Sequence, residues 1–337
     1  MVMNYLKIVL LLFSFIFIGS DPTYAQQDST YFVSYPKLLT GRFYFSQKFT
    51  SFKFQNTKEH YTLNYQPNTT LNMGLGATYK WATLNLAYGF GFLNPDGEKG
   101  KTQYLDLQFH GYSRKFNLDF LGQFYRGFYL SQKGTSASSD RYYIRPDLKV
   151  NIVGGSFQYI LNYRRFSLRA SFLHTEWQKK SAGSVLVGIE AYTGRVKADS
   201  TITPAAINRN AALLNETKTS FFLFGPNIGY AYTLVVQENF FLTGSVSLSL
   251  DYGVSTLTDR DGRSNVGGLN TNVFSRLIAG YNSARWALSI IYINNAVRLA
   301  TNNSDRELTL NTGNVRVCFV HRFVLGSKEK ELLKIIK

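Results

Sequence analysis

Between Phe240 and Tyr252 every second position carries a large apolar side chain (Phe240, Leu242, Val246, Leu248, Leu250 and Tyr252), with Gly244 as the one gap. After Phe241 the residues between them are Thr243, Ser245, Ser247, Ser249 and Asp251. A repeat of two belongs to an extended strand, whose successive side chains point to opposite faces; a helix repeats every 3.6 residues. One face of this strand is as apolar as a core and the other is wet. The pattern recurs along the chain. Leu105, Leu107 and Phe109 oppose Asp106, Gln108 and His110; Phe166, Leu168, Ala170 and Phe172 oppose Ser167, Arg169 and Ser171; Val315, Val317, Phe319 and Phe323 oppose Asn314, Arg316 and Arg322. These segments are read as strands.

The start of the chain bears on which solvent the apolar face meets. Lys7 precedes an apolar run over residues 8–18 broken only by Ser14, and Thr23-Tyr24-Ala25 supplies a small-residue cleavage pattern before Gln26. That is the form of a secretory leader, too short to span a bilayer, so residues 1–25 are expected to be removed. No Cys stands at the junction for a lipid anchor, and the single Cys318 cannot make an internal disulfide. No later run is long and apolar enough for a transmembrane helix. Aromatic residues make up 16% of the chain, with 27 Gly and only 7 Pro, a balance that suits the aromatic girdles and curved strands of an outer-membrane barrel. The formal net charge of +16 comes without a basic helix or a dense Lys/Arg run, so nucleic acid is excluded as a partner, and lipid phosphates or an aqueous lumen are the expected counterparts.

Turn lengths orient the strands. Short turns, most of them basic and aromatic, join many of them: YKW (79–81), YSRKF (112–116), NYRRF (162–166), VQENF (236–240) and SARW (283–286). Longer polar connections cover residues 94–101, 131–140, 197–218, 256–269 and 300–308. Tight periplasmic turns with long extracellular loops are the layout of an outer-membrane barrel. The expected fold is therefore all-β, a closed antiparallel transmembrane β-barrel of about 12 strands, with about 14 as the alternative. The ambiguity sits at residues 184–218, where strand directions stop alternating if 166–172 is a strand. Residues 184–196 are then either an extracellular excursion or the partner of a hidden strand. The domain reading is a leader (1–25), a periplasmic lead-in (26–37), the barrel (38–326) and a periplasmic tail (327–337). In this layout the apolar rows meet acyl chains and the polar rows a hydrated or polar-packed lumen, leaving no conventional core. A soluble barrel or double sandwich would turn the apolar rows inward, and it would leave aromatic residues at the strand feet unexplained.

Four stretches carry a resemblance: SYPKLLTGRFYFSQKFT (34–50), YQPN (65–68), GATYKW (76–81) and QKKSAGS (178–184). They resemble a family of uncharacterised secreted proteins of Bacteroidota, known as a domain of unknown function and held to form outer-membrane barrels. The resemblance spans roughly residues 31–325. It implies a location and a fold class; it implies no activity and no catalytic residues.

The candidate lumen-lining residues, on the inward parity, are Arg42, Lys48, Asp106, His110, Asp119, Arg169, Asp251, Arg316 and Arg322. Arg and Lys among them could form a constriction that selects anions, or opposite charges could pair across the lumen and plug it. Trp81, Phe116, Phe166, Phe240 and Trp286 are the expected interface aromatics at strand feet. His174 and His321 fall on the lipid-facing parity without a neighbouring serine motif, so an amphipathic interface role outweighs lipid chemistry. Asp259 opens a stretch like a calcium loop, but Gly262 stands at position four and Asn270 at position twelve, so it reads as a loop tip. The glycines of YGFGF (88–92) precede no helix and bind no phosphate, and Cys318 is read as an inert inward thiol. No catalytic residue, metal or cofactor is expected. The leading function is a channel or passive transporter for small solutes, anionic ones included. The alternatives are a non-conducting barrel that works as a surface or assembly partner, or a lipid-modifying enzyme. Outer-membrane lipid is the expected surrounding, and protein partners are unspecified.

Overall fold

The computed structural model describes residues 28–57, 60–80, 82–93, 97–134, 140–204, 216–258, 262–301 and 305–326. The expected leader and tail, Trp81 and Asp259 lie outside the described residues. In chain order the strands are β1 (Phe32–Ser34), β2 (Leu38–Asn56), β3 (Tyr61–Gln66), β4 (Asn72–Tyr79), β5 (Ala82–Gly89), β6 (Gln103–Tyr112), β7 (Phe116–Leu130) and β8 (Ile144–Ile160). A short helix, α1 (Leu168–Phe172), follows, and then β9 (Glu176–Gln178), β10 (Ala182–Lys197), β11 (Lys218–Val236), β12 (Phe240–Thr258), β13 (Arg263–Asn282), β14 (Trp286–Leu299) and β15 (Arg306–Val324).

Ten antiparallel strands form a closed ring: β2, β3, β7, β8, β10, β11, β12, β13, β14 and β15, which returns to β2. Closure leaves no backbone edge along this path, the condition for a sheet in a bilayer. The expected count of about twelve is not reproduced. β3 serves residues 52–56 of β2 and β4 serves residues 40–46, so two short strands share one long neighbour. Between them Pro67 brings no N–H to a ladder, and Thr69 bridges instead, accepting from Gln47 Nε2 at 2.9 Å and donating to Lys48 O at 2.9 Å. β5 hangs on β4 and β6 on β7, outside the ring. Gly127 marks the bulge where β7 passes from β6 towards β3, with φ 92°, a conformation that glycine holds without a Cβ penalty.

The outer surface follows the alternation. On β12 Phe240, Leu242, Val246, Leu248, Leu250 and Tyr252 are exposed, while Thr243, Ser245, Ser247, Ser249 and Asp251 are buried. Apolar residues are exposed in the same way on β10, β11, β13, β14 and β15, a continuous belt far larger than a water-facing surface tolerates. At the short-turn end the belt is edged by rings: Trp286 stacks near Phe319 (5.1 Å between centroids), and Phe240 meets Tyr281 edge-on (5.4 Å).

Two features depart from the sequence reading. Residues 166–172 are not a strand. Alternation over seven residues fits either structure, and here the Ser167 hydroxyl caps a buried helix by accepting from Ala170 N at 3.2 Å. The chain after β8 therefore turns into the barrel and returns upward as β10, so residues 184–196 are wall, paired with both β8 and β11. That restores the alternation of direction. The interior also holds a conventional core, in two large apolar clusters and a small third one of Tyr44, Ala287, Cys318 and Val320. One apolar cluster fills the long-loop end, around Phe52, Leu63, Leu148, Ile152 and Leu310. A second fills the short-turn end, where Phe166, Leu168 and Phe172 pack on Ile160, Phe241 and Ile278. Each such side chain contributes about 1.5–3 kcal/mol on full burial.

Candidate functional site

The short-turn end is closed by a plug made from two distant pieces of chain. β1, within the expected lead-in, pairs with β9, and α1 precedes β9 inside the barrel. Glu176 on β9 is buried and anchors the plug: Arg114 approaches its carboxylate at 3.3 Å, Arg169 at 3.5 Å, and the Ser167 hydroxyl donates to it. A helix leaves its last carbonyls without partners inside the helix. Wall arginines take up carbonyls just past α1. Arg42 of β2 donates to Leu173 O at 3.0 Å and to Thr78 Oγ1 at 2.6 Å; Arg322 of β15 donates to His174 O at 2.8 Å and to Asn282 Oδ1 at 2.7 Å. Arg42 and Arg322 thus brace the plug.

His174 is fully buried within it, edge-on to Phe241, and neither ring nitrogen has a hydrogen bond. Burial, then the charges of Arg322 and Arg42, push its pKa down to about 3. It does not face lipid, as its parity in a strand would have required. His321 does lie on the outer wall, its ring 3.9 Å from Trp286 and 4.4 Å from Phe323 between centroids.

Between the two apolar clusters runs a polar belt. Arg276 of β13 reaches Asp119 of β7, whose other oxygen lies 2.7 Å from His110 Nδ1. Gln158 donates to Asn227 Oδ1 at 2.9 Å and to Ser247 Oγ at 2.8 Å. Asn272 links two carboxylates, donating to Glu190 at 3.0 Å and also to Asp251. Asp106 takes Lys48 Nζ at 3.0 Å, Gln123 Nε2 at 2.9 Å and the Tyr125 hydroxyl at 2.6 Å. With most lone pairs and protons spent on one another, this belt struts the lumen.

Arg316 is different. Its guanidinium lies over the Tyr44 ring, 4.6 Å from the centroid, and forms no ion pair among the described residues; its Nε has no acceptor. It borders a cavity of about 590 Å³ between the plug and the polar belt. Of the residues chosen by parity, Arg42, Lys48, Asp106, His110 and Arg316 line that cavity. Asp119 and Asp251 sit in the belt, and Arg169 and Arg322 in the plug contacts. Arg169 is inside by way of a helix, since the strand that placed it there does not exist. Phe116, Phe240 and Trp286 are exposed on the outer wall, whereas Phe166 is wholly buried in the plug and is no interface residue.

Sequence reasoning missed Arg276, Glu190, Gln158 and Glu176. Arg276 lay between Phe274 and Ile278 on the inward row, and their apolar character hid the row's direction.

Among solved structures the chain is similar to the outer membrane protease OmpT from Escherichia coli, with 9% identity over 86% of this chain and 98% of that one and a TM-score of 0.38. It is also similar to the COG4313 outer membrane channel from Pseudomonas putida F1 (12% identity, 90% and 100% covered, TM-score 0.26). A third likeness is to the P. putida toluene transporter TodX (8% identity, 86% and 91% covered, TM-score 0.25). At such values the likenesses say nothing about activity. No curated protein matches the chain. The model of the family described as a domain of unknown function (DUF4421) matches residues 26–323, from ahead of β1 into the end of β15, and the chain belongs to that family.

Proposed function

We propose that the protein is an outer-membrane barrel that takes up small anionic molecules at an internal site and does not conduct freely along its axis. The apolar belt with its aromatic edge supports residence in a bilayer. The two apolar clusters and the plug argue against a general pore, because they fill both ends of the lumen among the described residues. The observation that carries the reading is Arg316, a cation without a carboxylate partner beside a cavity of about 590 Å³, within the roughly 300–1,000 Å³ of small-molecule sites.

The test uses the full chain in two assays. In planar bilayers it is expected to give no steady ohmic steps; sustained steps would return the open-channel reading. In vesicles, either doxyl-labelled stearate or inorganic phosphate is expected to bind, with at least a tenfold loss on Arg316→Gln. Binding of neither probe would leave the barrel without a solute and return the surface-partner reading.

A further inference from the structure

β5 and β6 follow one another in the chain and run antiparallel, yet among the described residues β5 is bonded only to β4 and β6 only to β7. Neither edge therefore has a strand partner among the described residues in the short-turn half of a wall that is otherwise continuous, although Lys48 Nζ donates to Asp106 O at 3.2 Å. Hydrocarbon does not tolerate such edges, so this seam has to face water, a ligand, or its own opposite edge.

The seam leads inside. Residues 83–87 of β5 and 106–110 of β6 line the same cavity as Arg316. The set includes the outward residues Leu84, Leu86, Leu107 and Phe109 together with the inward residues Asn85 and Gln108. Side chains of both parities border one cavity only if it passes through the sheet. Exposure agrees: inward Asn85 and Ala87 are exposed, whereas inward residues of β12 are buried. Glycine at position 74 leaves room for the Tyr44 ring at the inner end, because a Cβ there would come within 2.4 Å of it.

The chemistry changes along this path. The outer mouth is framed by Leu84 (63% exposed), Leu86 (65%), Leu107 and Phe109. The inner end carries Arg42, Lys48 and Arg316 against Asp106. Lys48 is engaged by Asp106 and Arg42 by Leu173 O and Thr78, which leaves Arg316 as the cation in excess. Phe172 and Leu173 of the plug close the floor, so nothing entering here passes straight on.

The geometry points to a lateral port between β5 and β6 that admits, from the bilayer, an amphiphile with a single anionic head: the head pairs with Arg316 at the inner end and the apolar chain lies on the outward side chains of Leu84, Leu86, Leu107 and Phe109, outside the strand edges. This rests on the reading of Arg316 as the anion site and adds the route and the class of ligand. The ligand comes from the membrane, not from the aqueous phase.

Cross-linking the seam tests it. Pairing Leu86 with Leu107 would keep Leu84, Leu86, Leu107 and Phe109 outward, so the double variant Leu86→Cys/Leu107→Cys locks the edges once they close on one another, with the natural Cys318 buried away from them. In vesicles the immobilised fraction of doxyl-labelled stearate is read by electron spin resonance. The reduced form is expected to bind it, oxidation to weaken binding at least tenfold, and reduction to restore it. The methyl ester of the same probe should bind at least tenfold more weakly than the acid, and millimolar inorganic phosphate should not displace the acid. If the cysteines fail to bond, Ala87→Trp obstructs the same mouth and is read in the same way. Equal binding by open and closed forms would overturn the port. Phosphate that binds in an Arg316-dependent way while stearate does not would overturn the amphiphile and leave the anion site standing, whereas binding of neither removes both.

Discussion

From β10 round through β15 to β2, the strands are bonded to both neighbours along most of their length, β13 meeting β14 only over Val273–Asn282, and the nineteen-residue β2 meets the nineteen-residue β15 from end to end. From β3 to β6 the strands have six to ten residues, β3 joins β7 through only Tyr65–Leu130 and Gln66–Tyr129, and β5 and β6 do not join at all. The paired arc spends its inward side chains on one another. The thin arc opens on the cavity and on Arg316. Rigidity and access are thus placed on opposite sides of one cylinder, as expected if sites draw on the least cooperative part of a fold.

Four substitutions bear on that contrast. The largest effect is expected from Arg276→Ala, which takes the guanidinium from the buried Asp119 carboxylate and leaves it only His110 and Asn117, and should cost about 3 kcal/mol in urea unfolding of the vesicle-refolded chain. Replacing both partners with apolar residues should recover most of it; a cost near zero for the single change would mean the strut does not stiffen the paired arc. Next, Leu248→Lys places a charge on the lipid face of β12 and should cost about 2–4 kcal/mol, whereas Leu86→Lys at the seam, where the ammonium can reach a wet cavity, should cost less than about 1 kcal/mol. Similar costs for both would erase the distinction between the arcs.

The smallest effect has the opposite sign. His174→Phe removes two buried nitrogens without partners and should stabilise by about 1 kcal/mol at neutral pH. The imidazole stays neutral in the fold down to about 3, while the unfolded chain gains its proton below about 6.5. The unfolded state then binds more protons between those values, so stability is full above about 6.5 and falls as pH drops through the window. His174→Phe should flatten that slope in the same titration, and an unchanged slope would assign acid sensitivity to other groups.

Much of this was legible in the order of residues. β12 states both its faces outright, because a strand with lipid on one side and hydroxyls on the other has no reason to blur them. β13 blurs them, since Phe274 and Ile278 point inward into the second apolar cluster while Leu277 points out. Residues 166–172 misled because a buried helix of five residues leaves no periodicity long enough to tell from a strand. Parity put Arg42, Arg316 and Arg322 on the inside of the wall, but it carries no information about what stands across the lumen. Two of those arginines hold carbonyls of the plug and the third holds none. The open seam was hidden for a similar reason: alternation gives the direction of a side chain, never the identity of the next strand.

The last seam of the cylinder also dictates an order of events. β2 and β15 lie near opposite ends of the chain, while residues 166–176 sit inside the ring they close. Chains do not thread through finished rings, so the plug has to be wrapped by the wall as it forms. In assembly β2 must therefore wait, one edge bare, until β15 arrives, and whatever machinery folds this protein has to shield that edge until the ring closes.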